Sequence, residues 1–400
     1  MSKIFGGRSR LRSSKQPTHT GRMPYYLRAK QNQSSIDPAK YVREATAPQA
    51  LPAQPVSHAF TDFGLDERLV RNVLARGYTS PTPIQDQGIP VLMEGRDVVG
   101  IANTGTGKTA AFLLPLIHKV LNDTNQGALI LAPTRELALQ IFDEFRAFAK
   151  GLPVSVCICI GGTNINPQIQ HLRNQPHFVI GTPGRLKDLV QRRAFPASAY
   201  TNIVLDEVDR MLDIGFRQDI LFLISQLSKE RQGAFFSATM TSEAADIMHR
   251  LLNEPVQIQV SVRQTSHHVH QDIVRLQPGE SKIDVLHRLL KQEEFERVIV
   301  FGRTKHGINR LEQILTERGL RVRAIHGNKS QNARQRSLTD FKRGTVRALL
   351  ATDIASRGID VENVTHVINF DEPSTYEDYI HRIGRTGRAG KAGKALTFVS

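Results

Sequence analysis

The sequence predicts an α/β fold repeated in two successive domains, each a mostly parallel sheet flanked by helices. Three observations carry this expectation. The chain has 400 residues, more than one average domain of about 100–150 residues. From Phe60 onward, short apolar runs of strand length alternate with amphipathic stretches of helix length. The alternation halts in a polar stretch after residue 260 and then begins again. A hydrophobic content of 40% and a charged content of 23% are those of a folded chain, which excludes wholly disordered, collagen-like and simple-repeat proteins.

Residues 1–57 are predicted to be a basic, disordered tail. Within residues 1–50 stand ten Lys and Arg against Asp37 and Glu44, so about half of the chain's net +15 sits there. The segment is rich in Ser, Gln, Gly and Pro and has too little apolar periodicity to offset its chain entropy. It is either a solvated tail or a nonspecific phosphate tether in which Tyr25 and Tyr26 stack on bases. Its Arg- and Ser-rich, acid-poor start also fits, weakly, an organellar transit peptide. The first domain is assigned to 58–260, with strand candidates at 97–102, 128–133, 154–162, 177–183, 202–207 and 255–260. Helical patterns lie over Thr109–Leu121 and Arg135–Ala149.

A linker is placed at 261–275, where His267, His268 and His270 lack any zinc-like ligand spacing and read as solvated. The second domain, 276–400, carries strand candidates at 297–301, 322–326, 347–352 and 365–370 and a last one at its end. Cys157 and Cys159 would share one strand face, too close to bridge without strain, and read as reduced core residues. No run of 18 apolar residues and no apolar signal core follow the basic start, so a soluble, cytoplasmic protein without membrane contact is expected. The positive charge points to polyanionic partners, nucleic acid first.

Ala102-Asn103-Thr104-Gly105-Thr106-Gly107-Lys108-Thr109 follows a strand and opens a helix, the context a phosphate-binding loop requires. Its small residues let backbone N–H groups approach phosphate oxygens. Lys108 would reach the β- and γ-phosphates, and the Thr109 hydroxyl would ligate Mg²⁺. The bland alternative is a Gly-rich turn with an incidental lysine. Asp206-Glu207-Val208-Asp209 ends the strand candidate at 202–205. There Asp206 would position Mg²⁺ through its water shell and Glu207 would be the general base for the attacking water. A solvated strand-end turn is the alternative, weakened by the phosphate loop in the same domain.

With these two motifs in this order, the sequence resembles the DEAD-box ATP-dependent RNA helicases of helicase superfamily two, with DEVD in place of DEAD, from about Phe60 onward. The resemblance implies two RecA-like domains, with ATP and Mg²⁺ as cofactors. Gly77-Tyr78-Thr79-Ser80-Pro81-Thr82-Pro83-Ile84-Gln85 resembles the family's Q motif, with Phe60 seventeen residues before Gly77. By that resemblance Gln85 reads the adenine edge, Phe60 stacks on the ring and Tyr78 belongs to the nucleotide-binding set. A side-chain amide can donate and accept with adenine N6 and N7 together, which guanine cannot match. Pro133-Thr134-Arg135, Gly161-Gly162 and Thr182-Pro183-Gly184-Arg185 resemble the RNA-backbone grips. Helix starts and glycine turns at a sheet's carboxyl edge offer N–H groups to phosphates. Ser237-Ala238-Thr239 resembles the motif that couples the ATP site to strand separation, which implies hydrogen bonds to Asp209 and the second domain.

The second domain has no phosphate loop of its own. Tyr379 to Arg388 resembles motif VI, which implies Arg385 and Arg388 as arginine fingers and His381 as a coupling residue. Ala351 to Asp360 resembles motif V, with Gly358 and Asp360 near the ribose and Thr352 near an RNA phosphate. Arg303 and Thr304 resemble motif IV, and Gln331 with Arg334 fits a QxxR pattern; both are backbone grips. The implied mechanism is closure of two domains over ATP and single-stranded RNA in a monomer, with local loss of base pairs in short duplexes. Val208 stands where the family has Ala, Asn103 where Gln is usual and Ser356 where Ala is usual. The chain stops where a last helix is usual, which suggests truncation or an unusually short protein. Two rival readings are an ATP-gated RNA clamp with weak or no turnover, and a DNA-unwinding translocase, which does not predict the Gln85 motif.

Overall fold

Four-residue runs of branched apolar side chains form strands covered on both faces, and here they build two parallel sheets. The computed structural model describes residues 37–43, 56–103, 105–260, 269–353, 361, 363–387 and 393–399. The first sheet comprises β1 (Val98–Ile101), β2 (Ala128–Leu131), β3 (Val156–Cys159), β4 (Phe178–Gly181), β5 (Asn202–Leu205), β6 (Gln232–Ser237) and β7 (Val256–Gln259). Their order is β3-β4-β2-β5-β6-β1-β7 and every pairing is parallel. Successive side chains point to opposite faces. Val98, Ile130, Ile180, Val204 and Phe236 enter one core with the helices Pro83–Met93, Lys108–Asn122 and Arg135–Phe148. Val99, Leu129, Val179, Ile203 and Phe235 enter the opposite core, with Leu186, Met211, Ile220 and Ile247.

The second sheet comprises β8 (Val269–Arg275), β9 (Val298–Phe301), β10 (Val322–Ile325), β11 (Ala348–Ala351), β12 (His366–Asn369) and β13 (Gly393–Val399). It runs β10-β11-β9-β12-β13-β8, again parallel throughout. Val298, Val300, Ala348, Leu350 and Ile368 pack against Ile308, Leu311 and Leu315 of the helix Lys305–Glu317. The doubled α/β architecture thus follows the sequence pattern.

Two boundaries are corrected. Residues 269–275 of the expected linker form β8, an edge strand registered along the whole of β13; Val269 and Gln271 are buried while His270 and Asp272 alternate outward, a period-2 pattern masked by the glutamine on its buried face. His270 therefore lies in a strand, while His267 and His268 fall outside the described residues. Within the expected tail, Pro38–Tyr41 forms a 3₁₀ turn, Tyr41 is fully buried, and Arg43 bridges to Gln271. Cys157 and Cys159 are buried free thiols with their sulfurs 3.8 Å apart. No described helix is long and apolar enough to cross a membrane.

Candidate active site

Strand order decides which motifs meet. Ligands of open parallel sheets gather beyond the carboxyl ends of the strands. The adjacent β1, β6 and β5 end in the phosphate loop, Ser237 and Asp206–Asp209, so these converge on one half of the edge. The neighbouring β2, β4 and β3 end in Thr134–Arg135, Thr182–Arg185 and Gly161–Gly162, on the other half.

In the phosphate loop, Gly107 has φ +94°, and a Cβ there would collide with the Gln85 side-chain nitrogen and the Thr82 hydroxyl, so the position takes only glycine. Gly105 shares the positive φ, and Thr106 Oγ1 donates to Asn103 O at 2.8 Å. Lys108 begins the helix Lys108–Asn122, whose N-terminal N–H groups make an anion-binding end, with Thr109 in its first turn. The Lys108 ammonium is 5% exposed, donates to Ala102 O at 3.0 Å and stands 3.7 Å from Asp206 Oδ1. Thr104 lies outside the described residues.

The carboxylates form a buried, charge-balanced group. Burial pushes the Asp206 carboxyl up, against the pull of Lys108. Burial also acts to raise Glu207, but Arg210, whose Nη1 donates to Glu207 Oε2 at 2.7 Å, together with Lys108 and Arg385, outweighs it and holds Glu207 below the usual range. Glu207 caps the short helix Val208–Asp213 in the left-handed region, φ 53°. That conformation strains a non-glycine residue by about 1–3 kcal/mol. Asp209 Oδ2 accepts from the N–H groups of Ala238 and Thr239, both at 3.1 Å, and Ser237 Oγ accepts from Asp209 N, tying β6 to the carboxylate turn. Val208 is fully buried in the core that includes Leu205 and Met211, so its extra methyls fill apolar space.

Two upstream residues make contacts within the first lobe. Gln85 is fully buried; its oxygen accepts from Thr82 N at 2.9 Å and its amide donates to Gly107 O at 3.0 Å. In this structure the amide couples the Pro83–Met93 helix start to the phosphate loop. Phe60 is 1% exposed, edge-on to Phe63 and Tyr78 at 6.1 and 6.3 Å between centroids. Its ring is core, because an apolar face gains more from neighbouring aromatics than from water. Tyr78 itself packs on that core and on Phe148 at 5.5 Å.

On the other half of the edge, Thr134 caps the helix Arg135–Phe148 by accepting from Leu137 N, and Pro183 starts the helix Pro183–Gln191 after Thr182. Arg185 Nη2 donates to Thr163 O at 3.1 Å. Burial lowers the Arg135 pKa, and the nearby charges of Arg334 and Arg185 lower it further. Three arginines repelling one another make a site that a polyanion relieves. Gly162 has φ +74° and lies under the Arg135 guanidinium, with which a Cβ would collide. Gly162→Ala should therefore cost about 1–3 kcal/mol of backbone strain and push the Arg135 guanidinium aside. Thermal unfolding measures this as a melting temperature below that of the unsubstituted chain.

From the second lobe, Gln331 and Arg334 reach Glu136 of the first, and the charge of Arg385 acts on Glu207. Thr304 caps the helix Lys305–Glu317, and Arg303 N donates to Asp371 Oδ2 at 2.8 Å. Thr352 follows β11 directly. Arg334 Nε lies 2.8 Å from Glu136 Oε1 across the two lobes, and Gln331 donates to the same oxygen at 3.5 Å. Arg385 Nε donates to His381 O at 3.4 Å, and its charge reaches Glu207. Gly358, Asp360, Ser356 and Arg388 lie outside the described residues. Sequence reading missed Arg210, Glu136, Asp353 and Arg382. The last two form a two-pronged ion pair at 2.6 and 2.8 Å that fixes the helix Tyr376–Ile383 to the end of β11.

Two parallel α/β lobes, with a phosphate loop and buried carboxylates on one and the charge of Arg385 acting on Glu207 from the other, define a two-lobed P-loop core. A family model described as DEAD/DEAH box helicase matches residues 82–247, and one described as Helicase conserved C-terminal domain matches 281–390. The chain belongs to the DEAD/DEAH box helicase family. It is 45% identical over 343 residues to the ATP-dependent RNA helicase CshA of Listeria monocytogenes, which covers 85% of this chain and 66% of that protein. The chain thus spans a little under two thirds of that relative's length. Among solved structures it resembles S. cerevisiae Dbp5 bound to RNA and ADP BeF3, at TM-score 0.75 and 29% identity over 86% of this chain and 90% of the other. It also resembles Mss116p bound to ssRNA and AMP-PNP, at TM-score 0.76 and 28% identity over 90% and 77%.

Proposed function

We propose that this chain is the core of an ATP-dependent RNA helicase, which hydrolyses ATP to ADP and phosphate while gripping single-stranded RNA between its lobes. The observation that carries the reading is the ion pair between the lobes, Arg334 Nε at 2.8 Å from Glu136 Oε1, with the charge of Arg385 on the second lobe acting to lower Glu207 of the first. Each lobe alone lacks one half of the site, and one chain supplies both, which supports action as a monomer. The solved relatives bound to RNA with nucleotide support the same ligands here, and the buried reduced thiols suit a cytoplasmic setting.

The donor set fits Mg²⁺. A buried carboxylate at Asp206, raised by burial and so favoured by a cation, stands near Lys108, and Thr109 supplies a hydroxyl. Mg²⁺ is commonly held by one or two carboxylates together with substrate phosphates. When bound, the ion would neutralise charge on the phosphate oxygens. The loop N–H groups and Lys108 hold the β- and γ-phosphates, Glu207 accepts the proton of the attacking water, and Arg385 with Arg388 offsets charge on the transferred phosphoryl group. The Gln85 link to Gly107 carries the state of the loop into the upstream helix, and adenine reading by Gln85 requires its amide to exchange that link for the base.

RNA lies along the ends of β3, β4 and β2, held by Arg135, Arg185 and the glycine turns, and is completed by Arg303, Thr304 and Thr352. Because ATP and RNA each touch both lobes, each favours the closed form and so strengthens binding of the other. Glu136 and Arg334 lock that form directly. A duplex loses base pairs where the closed cleft admits only one strand, and hydrolysis releases it. The test is phosphate release with and without RNA. RNA should stimulate it at least tenfold and a chelator should abolish it. ATP-dependent RNA binding without any turnover would replace this reading by that of a clamp.

A further inference from the structure

Residues Pro38–Arg43 pack on the second sheet, although the first lobe follows them in sequence. Tyr41 is fully buried, its ring centroid 4.8 Å from that of Tyr379. The Lys40 ammonium lies 6.0 Å from the Tyr376 ring centroid. Arg43 exchanges two backbone hydrogen bonds with Gln271, at 2.9 and 2.8 Å, extending the edge strand β8. The Gln271 side chain accepts from the Tyr379 hydroxyl at 2.9 Å, so a single residue joins the edge bridge to the aromatic contact. Burial, with Glu372 adding to it, pushes the Tyr41 hydroxyl up to about 12, so the ring stays neutral. Its oxygen has no hydrogen-bond partner among the described residues. The anchor is therefore the ring, not the hydroxyl.

Tyr376 and Tyr379 belong to the helix Tyr376–Ile383, which also carries His381 and Arg382 and runs directly into Arg385. The contacts that hold this helix include the Asp353–Arg382 ion pair, the Tyr379–Gln271 hydrogen bond and the Tyr41 ring. The ion pair joins residues that lie within the runs resembling motifs V and VI; the Tyr41 ring comes from a segment far upstream of them. Chain continuity adds a consequence. Ser57 and His58 are fixed to the first lobe by backbone donation to Asp86 Oδ2 and Oδ1 at 3.1 and 3.0 Å. Residues 44–56 therefore connect the lobes a second time, in addition to 261–268.

We propose that Pro38–Arg43 is an intramolecular strap and that Tyr41 is a positioning residue, holding the helix Tyr376–Ile383 so that Arg385 faces the carboxylates. The inference rests on the reading of Arg385 given above. A misplacement of about 1 Å at a catalytic group can cost about a hundredfold in rate, so partial loosening of one helix support is expected to cost about tenfold.

The test compares the full chain with Tyr41→Ala, Tyr41→Phe, Arg43→Pro and Arg385→Ala, at saturating RNA and a temperature where circular dichroism shows each folded. Tyr41→Ala should lower kcat about tenfold with KM for ATP within about twofold. Tyr41→Phe should match the unsubstituted chain, since only the ring anchors the strap. Arg43→Pro removes the N–H donated to Gln271 while leaving Tyr41 in place, and should lower kcat in the same direction, so the inference stays testable even where Tyr41→Ala does not fold. Unchanged kcat in folded Tyr41→Ala and Arg43→Pro, or an effect confined to melting temperature, overturns the strap. If Arg385→Ala lowers kcat and those variants do not, the strap alone fails; if Arg385→Ala retains full kcat, the reading of the arginine fails first.

Discussion

Replacing Glu207 by Gln should lower RNA-stimulated phosphate release by about 10²- to 10⁴-fold, the usual contribution of a general base, while ATP-dependent RNA binding persists. The substitution keeps the shape and removes the ability to accept a proton. Its strength as a test comes from the charges around it. Burial alone would raise the Glu207 carboxyl, yet Arg210, Lys108 and Arg385 together hold it low, so it is ionised at neutral pH and ready to accept. Glutamine also removes the negative partner 2.7 Å from Arg210 Nη1 in a buried setting. Breaking a buried pair from one side costs about 3–5 kcal/mol where no hydrogen bond survives; here the amide oxygen still accepts, so the loss should be smaller but measurable as a lower melting temperature. The double variant Glu207→Gln, Arg210→Met takes the orphaned charge away and should recover stability without recovering rate. Equal phosphate release by Glu207→Gln and the unsubstituted chain would remove Glu207 from the role of base.

That the carboxylate pair and the phosphate loop were legible beforehand reflects their locality. Each lies within a few residues of a strand end, and an apolar parallel strand such as Asn202–Leu205 is unmistakable as a buried run. What escaped is what joins distant parts of the chain. Arg382 finds Asp353 across 29 residues, and Gln331 finds Glu136 across 195; no local pattern names those partners. The strained backbone of Glu207 is equally silent in sequence, because nothing about a glutamate announces a positive φ. Phe60 packs its ring in the core and Gln85 gives its amide to Gly107, contacts that motif spacing does not announce. Tyr41 escaped for another reason: one aromatic anchor in a polar, basic stretch creates no periodicity, yet a single buried ring is enough to fix a short segment. β8 was readable in principle, because its Val269 and Gln271 alternate with outward residues, but a glutamine on the buried face disguised the period.

Arg385→Ala should lower kcat by about 10³-fold or more, within the range an arginine finger contributes, with ATP and RNA affinities changed only a few-fold. Arg385 stands on the opposite lobe from the phosphate loop, so its loss leaves every first-lobe phosphate contact in place and removes charge where the transferred phosphoryl group becomes most anionic. Arg385→Lys keeps the charge and loses the planar fork of donors, so it should recover only part of the rate. The residual activity carries a second signature. Arg385 is one of the cations that lower Glu207; a carboxylate relieved of a neighbouring positive charge binds its proton more tightly. The acid limb of the pH–rate profile should therefore move to higher pH in Arg385→Ala than in the unsubstituted chain, and only partway in Arg385→Lys. A loss of rate with an unmoved acid limb would mean that Arg385 acts on the phosphoryl group alone, and that Arg210 and Lys108 suffice to keep the base ionised. A loss expressed entirely as weaker RNA binding would instead assign Arg385 to the grip on the strand and leave the carboxylates without a partner from the second lobe.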